Sequence, residues 1–152
     1  MSEPTIDITD NKYAELCFCG ELEAISIENT GVFYKVKEGN ASLQKLLYGF
    51  SYADGKLTYE GTGEKMFEGT ILAQIAHEGN AAREIRIRIA RNVNGESLSD
   101  CSVNSGANYE KLFSAFQATL MPGDFIEIYA TNAQGTEEVK IKDLKISFVS
   151  KL

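Results

Sequence analysis

Met121-Pro-Gly-Asp-Phe-Ile-Glu-Ile-Tyr-Ala-Thr-Asn132 declares its own geometry. Pro122-Gly123-Asp124 is a tight turn, because proline presets φ near −65° and glycine accepts positive φ. Beyond it the residues alternate. Ile126, Ile128 and Ala130 share one face, and Phe125, Glu127, Tyr129 and Thr131 share the other. A period of two is a strand. One face is wholly apolar and belongs to a core. The other sets two aromatics around one carboxylate, more apolar than a solvated face requires. Such a strand is expected inside a sandwich that packs against something else as well.

The same alternation recurs on both sides. Tyr13–Cys19 places Ala14, Leu16 and Phe18 opposite Tyr13, Cys17 and Cys19. Short strands are expected over Glu23–Ile27 and Val32–Val36. A longer one is expected over Leu43–Tyr52, where Tyr48, Phe50 and Tyr52 share a parity. Asp54-Gly55 is a two-residue hairpin turn into Leu57 and Tyr59. Met66–His77 is the longest strand, with Phe67, Ile71, Ala73 and Ile75 inward and Gly69 as a bulge. Glu84–Val93 alternates Ile85, Ile87 and Ile89 with Arg86 and Arg88, then meets Asn94-Gly95, the strongest hairpin signal in the chain. Leu98–Val103 is a more polar strand. Tyr109–Leu120 fits a helix face or a strand, and we favour a strand from about Phe113. In the last segment, Val139 and Ile141 have one parity and Leu144, Ile146 and Phe148 the other, which predicts a bulge near Lys142-Asp143. The result is an all-β, antiparallel two-sheet sandwich of about ten strands. Residues 1–12 form a polar arm and 13–152 one domain.

Composition narrows the function classes. With 22 acidic and 15 basic residues the net charge is −7. That opposes binding to nucleic acid or an anionic membrane, both of which want basic patches. The opening Met-Ser-Glu-Pro-Thr-Ile-Asp is acidic and polar, so no signal peptide is expected. No apolar run approaches the roughly 18 residues of a membrane helix. The chain is expected to be made in a cytoplasm.

No constellation for catalysis emerges. His77 is the only histidine and is read as a polar residue at a strand end. One histidine and a Cys-x-Cys pair are not a zinc pattern. No carboxylates fall in the calcium-loop spacing. Gly61-x-Gly63 lacks the third glycine and the helix of a phosphate loop. Arg86, Arg88 and Arg91 are read as a solvated, ion-paired face. Cys17 and Cys19 are expected to be buried and inert, with Cys101 the more reactive thiol. No cofactor or metal is predicted.

The order of these signals resembles the compact jelly-roll heads of the tumour necrosis factor and complement globular-head superfamily. The residues that carry the likeness are Gly31-Val-Phe-Tyr34, Tyr59-Glu-Gly-Thr-Gly63 before the long strand, Ile85–Asn92 into Asn94-Gly95, and Leu120–Tyr129. The Arg-Asn-x-Asn-Gly turn followed by Gly-Asp-Phe-Ile-Glu is similar to small structural proteins of tailed bacteriophages. The resemblance implies a jelly roll, a homotrimer with the final strand near its threefold axis, and a non-enzymatic virion role as head decoration, fibre or spike. A capsid, fibre or tail protein would anchor it. The alternative is a receptor- or glycan-binding head of a tail fibre, with aromatics between Tyr34 and Tyr59 as the platform for a host surface glycan. Apolar groups on both faces mark Tyr13, Phe125, Tyr129, Ile141, Leu144, Ile146 and Phe148 as trimer-interface candidates.

Overall fold

A computed structural model describes residues 11–151. Its strands are β1 (Tyr13–Glu21), β2 (Tyr34–Lys35), β3 (Ser42–Tyr48), β4 (Phe50–Ala53), β5 (Lys56–Tyr59), β6 (Lys65–His77), β7 (Arg83–Arg91), β8 (Glu96–Ser105), β9 (Glu110–Leu120), β10 (Phe125–Asn132) and β11 (Val139–Ser150). All pairings are antiparallel. One sheet has the order β3-β1-β11-β6-β9, and the other β4-β5-β10-β7-β8, with β2 added beside β10. This is a two-sheet jelly-roll sandwich. Most of the arm, residues 1–10, lies outside the described residues.

The alternation fills the space between the sheets as read. Leu16, Phe67, Ile71, Ile75, Ile85, Ile87, Ile89, Ile126 and Phe148 are all buried there. One end is aromatic. The Phe67 ring meets Phe50 at 5.3 Å, Tyr59 at 5.3 Å and Phe148 at 6.3 Å, each edge to face, the arrangement that ring quadrupoles favour.

Several expectations need correction. Leu43–Tyr52 is two strands, because Gly49 at φ 78° turns the chain out of one sheet into the other. Tyr48 is therefore exposed on the first sheet while Phe50 is buried under the second. Glu23–Ile27 makes only a single bridge, Ile25 to Val139, and Val32–Val36 shrinks to β2. Gly69 is no bulge. It pairs in register with Phe148 on one side and Phe116 on the other. A Cβ built on it would run into the Phe116 ring, so its absence makes room for that ring. Residues 110–120 are strand throughout, paired along their length with β6. The loop between β7 and β8 is Asn92-Val93-Asn94-Gly95, closing the pair Arg91–Glu96. Positive φ falls at Asn92 (62°) and Gly95 (63°), not at Asn94.

Three local readings stand. Asp54 and Gly55 have φ of 53° and 75° and close the Ala53–Lys56 pair. Gly123 at 90° completes the turn in which the Asp124 N–H donates to the Met121 carbonyl at 3.0 Å. The β11 register shifts between Lys142 and Lys145, with Asp143 at φ 52°.

Candidate functional site

Among the described residues, most of the exposed large apolar side chains lie on the outward face of the five-stranded sheet. Inward residues on β1 are Ala14, Leu16 and Phe18, so Tyr13, Glu15, Cys17 and Cys19 point out. The register carries that parity across the sheet. Tyr48, Tyr13, Val149 and Glu68 form one cross-strand row, and Gln44, Cys17, Lys145, Leu72 and Phe113 another. Phe113 is 66% exposed, Leu46 59%, Val149 56%, Met66 46% and Leu72 44%. Tyr13 stacks on Tyr48 at 5.8 Å, and Lys12 Nζ lies 5.1 Å from the Tyr48 ring centre. Four charges on this face form two ion pairs: Lys145 is 3.2 Å from Glu15, and Lys151 3.4 Å from Glu68. Exposed apolar groups of this extent on one face are uncommon on a monomer.

The structure separates the interface candidates. Tyr13 is on this face. Ile141, Leu144, Ile146 and Phe148 are at most 1% exposed and fill the chain's own core, so they have no area to offer a partner. The parity slip at Asp143 explains this. The bulge returns Leu144, Ile146 and Phe148 to the same side as Ile141. Phe125 and Tyr129 lie on the outward face of the other sheet and are half-buried by their own chain. Lys56 Nζ is 4.6 Å from the Phe125 ring centre. The Tyr129 hydroxyl donates to Glu127 at 3.3 Å, and Glu127, itself 8% exposed, is ion-paired with Lys35. Burial and the Glu127 carboxylate raise the Tyr129 phenol above its ordinary range.

Leu46, Met66, Leu72, Phe113 and Val149 were not foreseen. A signal exists in the sequence nonetheless: adjacent apolar pairs. Leu46-Leu47, Met66-Phe67, Ile71-Leu72, Leu112-Phe113 and Phe148-Val149 each put one side chain in and one out. A strand with only one buried face has no need of the second.

Several polar groups elsewhere make structural contacts. The arginine stripe is ion-paired as expected, Arg86 with Glu84, Arg88 with Asp100 and Arg91 with Glu96. Their carboxylates respond. The Arg88 hydrogen bonds hold Asp100 below the usual carboxylate range, and Arg86 does the same for Glu84. His77 is 1% exposed at the end of β6, and its Nε2–H donates to the Ala81 carbonyl at 2.7 Å. Among the described residues no three potential metal ligands gather. The aromatic platform between Tyr34 and Tyr59 does not form. Tyr34 and Tyr52 are half-buried and Tyr59 is 2% exposed, which leaves only Tyr48 exposed.

The thiols reverse their expected order. Cys19 is exposed and Cys17 partly so, because both lie on the outward face. Cys101 points inward, where burial pushes its thiol up to about 11.

The fold has solved counterparts. Murine APRIL, in crystals at pH 5.0, superposes with a TM-score of 0.61 at 14% identity, over 92% of this chain and 99% of that one. The Eiger TNF of S. frugiperda gives 0.60 at 15% identity, over 93% and 94%. The PRD1 vertex protein P5 gives 0.51 at 9% identity, over 93% and 97%. The chain is thus similar to tumour necrosis factor-type jelly rolls and to a phage vertex protein. At these identities the likeness is one of fold. No protein-family model matches the chain, and no curated protein matches it.

Proposed function

We propose that this chain is a non-enzymatic virion structural protein. It forms a homotrimeric jelly-roll knob that serves as a head decoration, fibre or spike, anchored by a capsid, fibre or tail protein. The uncovered apolar face on the five-stranded sheet carries the self-association. Exposed patches beyond a few hundred Å² are uncommon on monomers, and Phe113, Leu72, Leu46, Val149, Met66 and the Tyr13–Tyr48 stack share one sheet face. Three copies rather than two is what the superfamily resemblance implies. The virion setting draws support from the fold shared with the PRD1 vertex protein. Closed symmetry also limits access to the edge strands β3 and β9, which would otherwise template aggregation.

Light scattering on the purified chain at micromolar concentration tests this. The expected mass is about three times the 16.7 kDa of one chain. Leu72→Lys with Phe113→Glu should give a soluble monomer. Phe125→Glu with Tyr129→Lys probes the opposite sheet. If only this second pair dissociates the assembly, the contact lies on Phe125 and Tyr129 instead. A wild-type mass of one chain, unchanged by concentration, refutes the proposal.

A further inference from the structure

Ile128 departs from the pattern of its strand. It shares inward parity with Ile126 and Ala130, which are at most 2% exposed, yet it is only half-buried. The cause is a crevice between the two sheets. Core side chains of both sheets wall it, among them Leu16, Phe18, Leu57 and Ile146, and Lys37, Glu38, Tyr52 and Gly55 frame its mouth. About 30 Å³ inside is empty. That is about one water's share of the liquid, but a buried water needs roughly two to four polar partners, and these walls are apolar. The space suits an apolar guest.

Tyr52 closes the mouth. Its ring meets Phe18 edge on, 6.1 Å between centres, and its hydroxyl donates to the Glu38 carboxylate at 2.5 Å. Burial and that carboxylate raise the phenol above its ordinary range, so it stays protonated and keeps donating. β4 is a four-residue edge strand, and Tyr52 sits just before the positive-φ turn Asp54-Gly55. Gly55 adds no side chain to the rim. A hydrogen bond to a loop residue and a ring contact hold this lid, and rotation about χ1 to another staggered well opens it. The space vacated by the Tyr52 ring then joins the void, and together they match one six-membered ring.

We propose that this crevice is a binding site for a monocyclic phenol, which takes the place of the Tyr52 ring. The guest's ring lies against Phe18 and Ile128, and its hydroxyl donates to Glu38. The head must donate, because a carboxylate only accepts. A carboxylate head would bring like charge to Glu38. The site lies between the sheets, so it does not depend on self-association through the outward face.

Phenol is titrated into the full chain labelled at Ile, Leu and Val methyl groups and followed by NMR, with benzoate as the control. We expect saturable shifts at Leu57, Ile128 and Ile146, little change at Ile85, and a Kd on the order of 1 mM for so small a guest. Benzoate should bind at least about tenfold more weakly. Tyr52→Phe keeps the ring but breaks the latch, so it opens the lid more often and should tighten phenol binding at least about threefold. The wild-type titration does not depend on any variant folding. Equal affinity in wild type and Tyr52→Phe, benzoate binding as tightly as phenol, or shifts confined to exposed residues such as Leu46 and Leu72 would overturn the site, as would no saturable shift in either protein.

Discussion

Gly69→Ala places a methyl group where the Phe116 ring lies. The added Cβ would stand 2.9 Å from one ring carbon and closer still to two others, inside any tolerable carbon–carbon contact. Phe116 has little room to yield inward, because its ring packs edge to face on Phe148 at 5.6 Å, and Phe148 is fully buried. Overpacking of this kind costs about 1–3 kcal/mol. At this chain length each kcal/mol moves the melting temperature by about 2–4 °C, so a fall of about 2–12 °C is expected. Phe116→Ala removes the obstacle. In that background Gly69→Ala should stabilise by about 0.5–1 kcal/mol, since alanine loses less backbone entropy than glycine in a strand. Urea unfolding of the four proteins, at one concentration and with a common m-value, measures the cycle. The sign should reverse between backgrounds. An equal loss in both would show that Gly69 answers to its backbone and not to the ring.

In the loop between β7 and β8, Gly95→Val should cost about 1–3 kcal/mol, because φ there is 63°. Asn94→Ala should cost under about 0.5 kcal/mol. Asn92→Ala should cost about 2–3 kcal/mol, since its side chain accepts from the Phe125 N–H at 3.0 Å, donates to Asp124 at 2.9 Å and tolerates φ of 62°; thermal melts rank the three, and a costly Asn94→Ala would move the turn. Iodoacetamide at about pH 8 should label Cys19 first and Cys101 slowest, because burial holds Cys101 near 11; faster labelling of Cys101 would mean the second sheet opens. Stability should fall as pH drops below about 4. Asp100 is held low chiefly by hydrogen bonds from Arg88. A carboxylate with a depressed folded pKa contributes stability above its unfolded pKa and loses it as pH falls through the folded one. Arg88→Gln should shallow that acid slope, and an unchanged slope would exclude the pair as its source.

What the sequence determined alone is whatever depends on neighbours within a strand or turn. The inward sets Ile85-Ile87-Ile89 and Phe67-Ile71-Ala73-Ile75 follow from a two-residue period, and Gly55, Gly123 and the Asp143 bulge follow from turn chemistry and a parity slip. These are consequences of local backbone geometry, so a local pattern suffices to find them. Only the tertiary structure decided matters that depend on a partner strand far along the chain. The apolar spacing in 110–120 suits a helix or a strand equally, and pairing with β6 settles it. Tyr48 and Phe50 share a parity, yet the turn at Gly49 sends them to different sheets. Ile146 and Phe113 are equally apolar on paper. One is closed over by the opposing sheet and the other by nothing among the described residues, because cover comes from residues many positions away. The candidate interface was therefore half legible: apolar doublets show that a second face exists, and the strand order alone shows which residues share it.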